Sequence, residues 1–173
     1  MLVNTFCAAV NGLEVTTVKV EVSMTRGVQF HLTGLADTAV RESYDRIRAA
    51  LQNNGLKMPM MDITANLSPA DIKKEGSGYD LPLAIGILAA SGKVDGSRLN
   101  DYMMVGELGL DGRLQPIRGA LPIAIRARAE HFKGLIVPKQ NIREAAVVNQ
   151  VEVYGMETLI DVANFFNGSS EIA

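Results

Sequence analysis

The sequence has little of what several common protein classes require. Cys7 is the only cysteine in 173 residues, so the chain cannot form an internal disulfide or a cysteine-rich zinc site. It contains no run of 18 apolar residues, and its first residues lack a basic segment followed by a long apolar one. Neither a transmembrane helix nor a secretory signal is predicted. Together with the lone cysteine, which fits a reducing compartment, this leads us to expect a cytoplasmic protein with no membrane contact.

Neither sign of charge dominates. Seventeen basic and nineteen acidic side chains give a net charge of −2, so no global field attracts the chain to nucleic acid or to anionic lipid. Any contact with DNA must therefore be local or be made by a partner. The composition, 47% hydrophobic and 21% charged, is typical of a soluble globular protein. The length fits one domain, which we predict to span residues 1–167, followed by a polar, frayed tail over residues 168–173.

Alternating apolar and polar residues predict strands. Residues 18–24 and 28–32 both alternate, and we predict that they form a hairpin with Gly27 in the turn. An earlier strand is predicted at residues 3–10. A second hairpin is predicted from residues 102–106 and 113–115, because Asp111-Gly112 between them is a strong turn signal.

Helical spacing of apolar residues predicts the helices. They are expected at residues 36–52, 81–90, 120–132 and 158–166, with one more helix whose capping box pairs Asn141 with Glu144. Asp80 is predicted to be the N-cap of the second helix. Further strands are predicted at residues 63–67, 135–137 and 151–153. This interleaving predicts an α/β (α+β) domain of two layers.

Three features resemble chemical sites but have simpler explanations. Residues 86–93 resemble a phosphate-binding loop, but the glycine spacing is wrong and Val94 replaces the hydroxyl that would meet magnesium. His31 and His131 have no His or Glu at metal-ligand spacing. We therefore predict no nucleotide site, no metal site and no cofactor in this chain.

The loop at residues 73–78 has the most reactive composition. Its serine, lysines and glycines fit a Ser/Lys dyad or an anion-binding nest, and they equally fit an exposed loop with solvated lysines. Spacing alone does not choose between these alternatives.

Three blocks of sequence carry a family resemblance. They are residues 34–43, residues 66–76 with residues 79–84, and residues 106–108 with Gly112 and residues 115–119. Their order and content resemble the ComM/YifB family, which is often labelled magnesium-chelatase subunit ChlI-like. The motif positions in this sequence are Arg41, Glu42, Ser43, Asn66, Pro69, Asp71, Lys74, Gly76, Asp80, Pro82, Gly106, Glu107 and Pro116.

The resemblance implies a fold and a context. The fold is that of ribosomal protein S5 domain 2, as in the Lon protease domain and the carboxy-terminal domain of RadA. The family's domain precedes an AAA+ module, which would bind ATP and Mg and which is absent from this sequence. The resemblance further implies a hexamer of the full-length chain that acts in DNA branch migration or recombination.

The likeness to Lon also suggests a peptidase, but the residues for it are incomplete. The position of Lon's serine falls on Gly78, with Ser77 one place early, and the position of Lon's lysine falls on Leu121. Ser77 would need Lys73 or Lys74 as its base. We therefore expect no catalytic residue, with a Lon-like serine peptidase as one alternative and a magnesium-chelatase-like ATPase subunit as another.

The expected function is that of a non-catalytic accessory domain of an AAA+ ATPase, supporting hexamer assembly or DNA contact. Short basic clusters neutralise phosphates even on an acidic domain. The basic side chains that we predict for DNA contact are Arg41, Arg46, Arg48, Lys73 and Lys74, although each could instead pair with a neighbouring carboxylate.

Overall fold

The computed structural model describes residues 1–69 and 78–168. Its strands are β1 (Leu2–Asn11), β2 (Glu14–Thr25), β3 (Phe30–Thr33), β4 (Asp62–Ser68), β5 (Tyr102–Met104), β6 (Glu107–Leu108), β7 (Leu114–Gln115), β8 (Gly134–Pro138) and β9 (Glu152–Met156). Its α-helices are α1 (Asp37–Gln52), α2 (Asp80–Ala90), α3 (Ala120–Ala129), α4 (Ile142–Ala145) and α5 (Leu159–Phe166). The helices and strands interleave along the chain, as the sequence predicts.

Seven of these strands form one mixed sheet in the order β3-β4-β2-β1-β5-β8-β9. Strand β2 runs antiparallel to both of its neighbours, and every other neighbouring pair is parallel. All strands of the sheet except β2 therefore point the same way, and their carboxyl ends lie at one edge. Strands β6 and β7 form a separate antiparallel pair.

The predicted hairpin between residues 18–24 and 28–32 is wrong. Strand β2 pairs with β1 on one side and with β4 on the other, and β3 pairs in parallel with β4. Strand β4 therefore lies between the two segments that alternation suggested to be neighbours. Gly27 still lies in the turn between β2 and β3, with φ of 140°. The second predicted hairpin forms only in its inner part, β6 with β7, while β5 joins the main sheet.

Helices cover the two halves of the sheet differently. Helix α2 packs on the face of β1 and β2 that carries Val22, where Gly86 meets the valine side chain. On the opposite face, Phe132 after α3 packs against Phe6 of β1 with the two rings tilted, and Ile142 of α4 lies against Gly155 of β9. The two-layer arrangement thus holds for β3 and β4, whereas α3 and α4 add a third layer over the parallel half, and α3 also reaches Thr17 at the start of β2.

Helix α2 is the centre of the core. Every residue from Asp80 to Ala89 is buried, as the almost wholly apolar sequence of this helix predicts. Its start differs from the prediction, because Tyr79 is the N-cap and Asp80 is the first helical residue. The capping box predicted at Asn141 does not form either. The helix that has one is α5, through Thr158 and Asp161.

Candidate functional site

The three motif blocks meet at the carboxyl edge of the sheet. Residues 34–43 follow β3, residues 69–84 follow β4, and residues 106–119 follow β5, and these three strands run in the same direction. The backbones of the last two blocks are joined, since Gly106 donates to the carbonyl of Gly78 and accepts from the N–H of Leu81. In α/β sheets this edge is the usual place for ligand binding. The carboxyl edge is therefore the candidate site.

One buried carboxylate links all three blocks. Asp80 Oδ1 accepts from Ser43 Oγ at 2.8 Å and from Arg46 Nη2 at 3.1 Å. Its Oδ2 accepts from Arg46 Nε at 2.6 Å and from the N–H of Leu108 at 3.4 Å. Ser43 and Arg46 come from α1, Asp80 starts α2, and Leu108 belongs to β6. We call these four residues the Asp80 cluster.

The geometry of the Asp80 cluster limits what it can do chemically. Burial raises the pKa of the Asp80 carboxyl above its ordinary value, while hydrogen bonds from Arg46, Ser43 and Leu108 oppose that rise. The hydrogen bond with Asp80 raises the pKa of Arg46, which therefore stays charged. With four donors on two oxygens, the carboxylate has no lone pair left for a substrate proton. The cluster is built to fasten the edge together.

The arginines of α1 are not equivalent. The Arg46 side chain is 21% exposed and is bound to Asp80, with Glu42 at 3.9 Å as a second partner. Arg41 and Arg48 are exposed. A phosphate would have to compete with the buried carboxylate for Arg46, whereas Arg41 and Arg48 face solvent. DNA contact by any of the three stays a prediction.

Several predicted positions lie outside the described residues. They are Asp71, Lys73, Lys74, Gly76 and Ser77, together with the predicted tail from residue 169 onward. The two ends of the intervening stretch are described: the Ser68–Pro69 peptide is cis, and Gly78 is hydrogen-bonded to Gly106. Leu121, at the place of Lon's lysine, lies in α3 and is 36% exposed.

Three other motif positions lie away from the Asp80 cluster. Asn66 lies on the helix-free face of β4, where it accepts from Thr33 at 2.6 Å and donates to Glu21 at 3.1 Å. The carbonyl of Pro82 accepts from the buried Thr5 hydroxyl at 2.9 Å.

Pro116 precedes a residue whose backbone is fixed from another element. The Asn141 side chain accepts from the N–H of Ile117 at 3.0 Å and donates to its carbonyl at 2.9 Å. The sequence did not predict this role of Asn141 or the hydrogen bond from the Leu108 N–H to Asp80. In both cases the partner is a backbone group, and the pattern of side chains does not show which backbone groups are bonded.

The features discounted in the sequence have structural roles. Residues 86–90 belong to α2, and the N–H groups of Ser91, Gly92 and Lys93 donate to carbonyls within that helix. These N–H groups cannot hold a phosphate. His131 has φ of 63° and follows the end of α3, while Cys7 is fully buried.

Over residues 1–69 and 78–168, no three His, Cys, Asp or Glu side chains come close enough to hold a metal ion. No helix in that part of the chain has both the length and the apolar character that crossing a bilayer requires.

Comparison with known proteins agrees with the geometry. The chain is similar to Lon protease 2 of Bacillus subtilis, with 26% identity over 88% of this chain and 32% of that protein. The mixed sheet with its helices and this similarity define the class: a Lon-like α/β domain.

The family follows from a closer match. The family model for subunit ChlI of Mg-chelatase matches residues 20–141 of this chain, so the chain belongs to that family. It is 43% identical to competence protein ComM of Haemophilus influenzae over 93% of this chain and 32% of ComM. It is 41% identical to YifB of Escherichia coli over 80% of this chain and 27% of YifB. The chain thus spans about a third of the length of the curated relatives it matches.

Proposed function

We propose that this chain is the non-catalytic accessory domain of a ComM/YifB-type AAA+ ATPase and that its carboxyl edge contacts DNA. Family membership and the one-third coverage of the relatives support a larger protein with a further module. ATP and Mg would be bound in that module, and the full-length chain would work as a hexamer in branch migration or recombination. The name of the Haemophilus relative, competence protein ComM, supports a role in DNA processing.

The observation that carries the proposal is the saturated Asp80 carboxylate. Its four donors come from α1 and β6, so it fixes the start of α2 relative to both elements. The stretch with Lys73 and Lys74 begins after Pro69 and ends at Gly78, two residues before Asp80. A cluster that fixes the start of α2, just after a segment with two lysines, and that offers no free base supports binding over catalysis.

The DNA proposal is tested by the salt dependence of binding. The full-length protein and its Lys73→Ala/Lys74→Ala variant are titrated with fluorescent duplex and branched DNA at several salt concentrations. Each lost phosphate contact reduces the slope of log K against log salt by about 0.9, so two lost contacts reduce it by about 1.8.

A matched control comes from the opposite edge. Arg128 and Lys133 are exposed near the end of α3 and the start of β8, at the amino ends of the strands. Arg128→Ala/Lys133→Ala removes the same charge and should leave the slope unchanged. If the Lys73/Lys74 variant binds with the wild-type affinity and slope, the DNA role of that segment is wrong.

The similarity to Lon protease 2 supports a second candidate, an ATP-dependent serine peptidase that uses Ser77 with Lys73 or Lys74. Its test is cleavage of unstructured casein by the full-length protein with ATP, and Ser77→Ala should abolish that cleavage. Absence of cleavage in the wild type removes this candidate. The ChlI description also keeps a magnesium-chelatase subunit open, and ATP-dependent insertion of magnesium into a porphyrin tests it directly.

A further inference from the structure

Strand β3 leaves one side of the sheet open. Ile63 of β4 donates to the carbonyl of Gln29 at 2.8 Å, so the parallel ladder uses the backbone groups of Gln29 and His31. The N–H and C=O groups of Phe30 and Leu32 therefore point away from β4. Exposed edges are usually protected by lysine, proline, a bulge or a very short strand, and of these the four-residue strand Phe-His-Leu-Thr has only the last.

An apolar floor lies beside this open edge. Two adjoining depressions of about 580 and 340 Å³ share Tyr44 of α1, whose ring lies 5.0 Å from that of Phe30. Val28 is 76% exposed and Met60 is 84% exposed at the sides. We call this surface the β3–α1 groove; its apolar lining includes Val28, Phe30, Tyr44, Leu56, Met58 and Met60.

The rim of the β3–α1 groove is cationic. Arg41 lines the smaller depression, and Arg48 and Lys57 line the larger one. No aspartate or glutamate lines either depression as far as the structure describes the chain. An occupant would gain from apolar side chains in the middle and from negative charge at its ends.

We propose that the β3–α1 groove binds an extended polypeptide segment by adding it as a strand to β3. The free N–H and C=O groups of Phe30 and Leu32 would pair with its backbone. Every second side chain of such a strand points to the inner face, where Phe30 and Tyr44 offer apolar contact. Acidic residues flanking those apolar positions would meet Arg41, Arg48 and Lys57.

The apolar floor favours a peptide over nucleic acid. A phosphate backbone uses cations but gains nothing from Val28 and Met60, which would be desolvated without an apolar partner. Phe30 and Tyr44 already contact each other with their rings inclined at 58°, so neither stands free as a stacking platform.

The probe is a capped peptide, Glu-Val-Thr-Val-Thr-Val-Glu, carrying a fluorophore and titrated with the full-length protein. We expect saturable binding. A version of the peptide with lysine in place of both glutamates should bind with an affinity at least about tenfold lower. Methylation of single backbone amides should weaken binding at alternate positions only, because an added strand pairs every second residue with β3. Uniform effects of methylation would contradict strand addition.

Variants locate the site. Tyr44→Ala and Arg48→Glu should each weaken peptide binding by about tenfold, and Lys73→Ala/Lys74→Ala should leave it unchanged. Leu32→Pro removes one outward N–H that the fold does not use, so it should reduce peptide binding while thermal unfolding shows that the fold persists. Failure of the peptide series to bind overturns the proposal. The proposal is also overturned if duplex DNA binds in the groove and the peptide does not displace it. Self-association of the protein that Tyr44→Ala abolishes would overturn it as well.

Discussion

Arg46 holds the buried Asp80 carboxylate through two of its nitrogens, Nε at 2.6 Å and Nη2 at 3.1 Å. Asp80 is fully buried, whereas the Arg46 side chain is one-fifth exposed at 21%. The ion pair therefore has one partner in the core and one at the surface, and it connects α1 with the start of α2. Such a pair contributes little compared with apolar residues of the same shape, but the loss of one partner leaves a charge without compensation.

Asp80→Ala should destabilise the protein strongly. It leaves the Arg46 guanidinium and the Ser43 hydroxyl without their main acceptor, and we expect a loss of about 3 kcal/mol in the free energy of unfolding. Urea denaturation measures it. Glu42→Ala is the matched control, because Glu42 is 70% exposed and lies 3.9 Å from the same arginine. That change should stay within about 0.5 kcal/mol, and equal costs for the two variants would contradict the anchoring role of Asp80.

Gly34→Ala should also destabilise the carboxyl edge. Gly34 has φ of 101°, and an added Cβ would lie 2.5 Å from the carbonyl oxygen of Leu67. Left-handed strain and the clash together should cost more than about 2 kcal/mol. Gly12→Ala separates the two effects, since Gly12 has φ of 63° with open space around it. Its cost should be limited to about 1 kcal/mol, and thermal unfolding of both variants provides the comparison.

Cys7 should react with thiol reagents only when the protein opens. The side chain is fully buried, and burial raises the pKa of its thiol far above the ordinary value. Labelling in native buffer should be at least about 10³-fold slower than labelling in denaturant, the ratio set by the rarely populated open state. Cys7→Ala verifies that the signal comes from this residue. Rapid labelling of the native protein would show that the centre of the sheet is accessible.

Stability should depend on pH in the alkaline range through Tyr154. A hydrogen bond to the Glu152 carboxylate raises the pKa of Tyr154 from 10.0 to about 12. Between these two values the folded protein keeps a proton that the unfolded chain has lost, so the free energy of unfolding falls as the pH rises through that window. The contribution is complete below pH 10.

Glu152→Gln tests this assignment. It removes the negative charge that holds the proton on Tyr154, so tyrosinate absorbance should develop at a lower pH than in the wild type. Tyr154→Phe should remove this step from the titration altogether and make unfolding less dependent on pH in that range. An unchanged titration in Glu152→Gln would mean that the pair does not control the tyrosine.

The sequence predicts where helices and strands lie better than it predicts which strands pair with each other. Helices α1, α2 and α5 follow from apolar spacing because each buries one face or its whole length. The pairing of β2 with β3 was wrong because alternation records which face is buried, not which strand lies beside it. Strand β4, which follows β3 only after the whole of α1, takes that place.

The Asp80 cluster was predictable only in part. An aspartate directly before a long apolar run signals a special position, and the sequence placed it at the correct helix end. Its partners could not be distinguished: Arg41, Arg46 and Arg48 carry the same charge on one helix, and only packing against α2 selects Arg46. The Leu108 donor is a backbone N–H, which every residue type except proline has, so no sequence pattern could reveal it.

The row of polar side chains on the helix-free face has a consequence for how the chain finds its fold. Thr33, Asn66 and Glu21 stand side by side on β3, β4 and β2 and are joined by hydrogen bonds. A shift of β4 by one residue would turn Asn66 into the core and the buried Leu67 out to solvent. A misaligned β4 would bury an amide and expose a leucine, so this row of polar side chains favours the observed register over its neighbours.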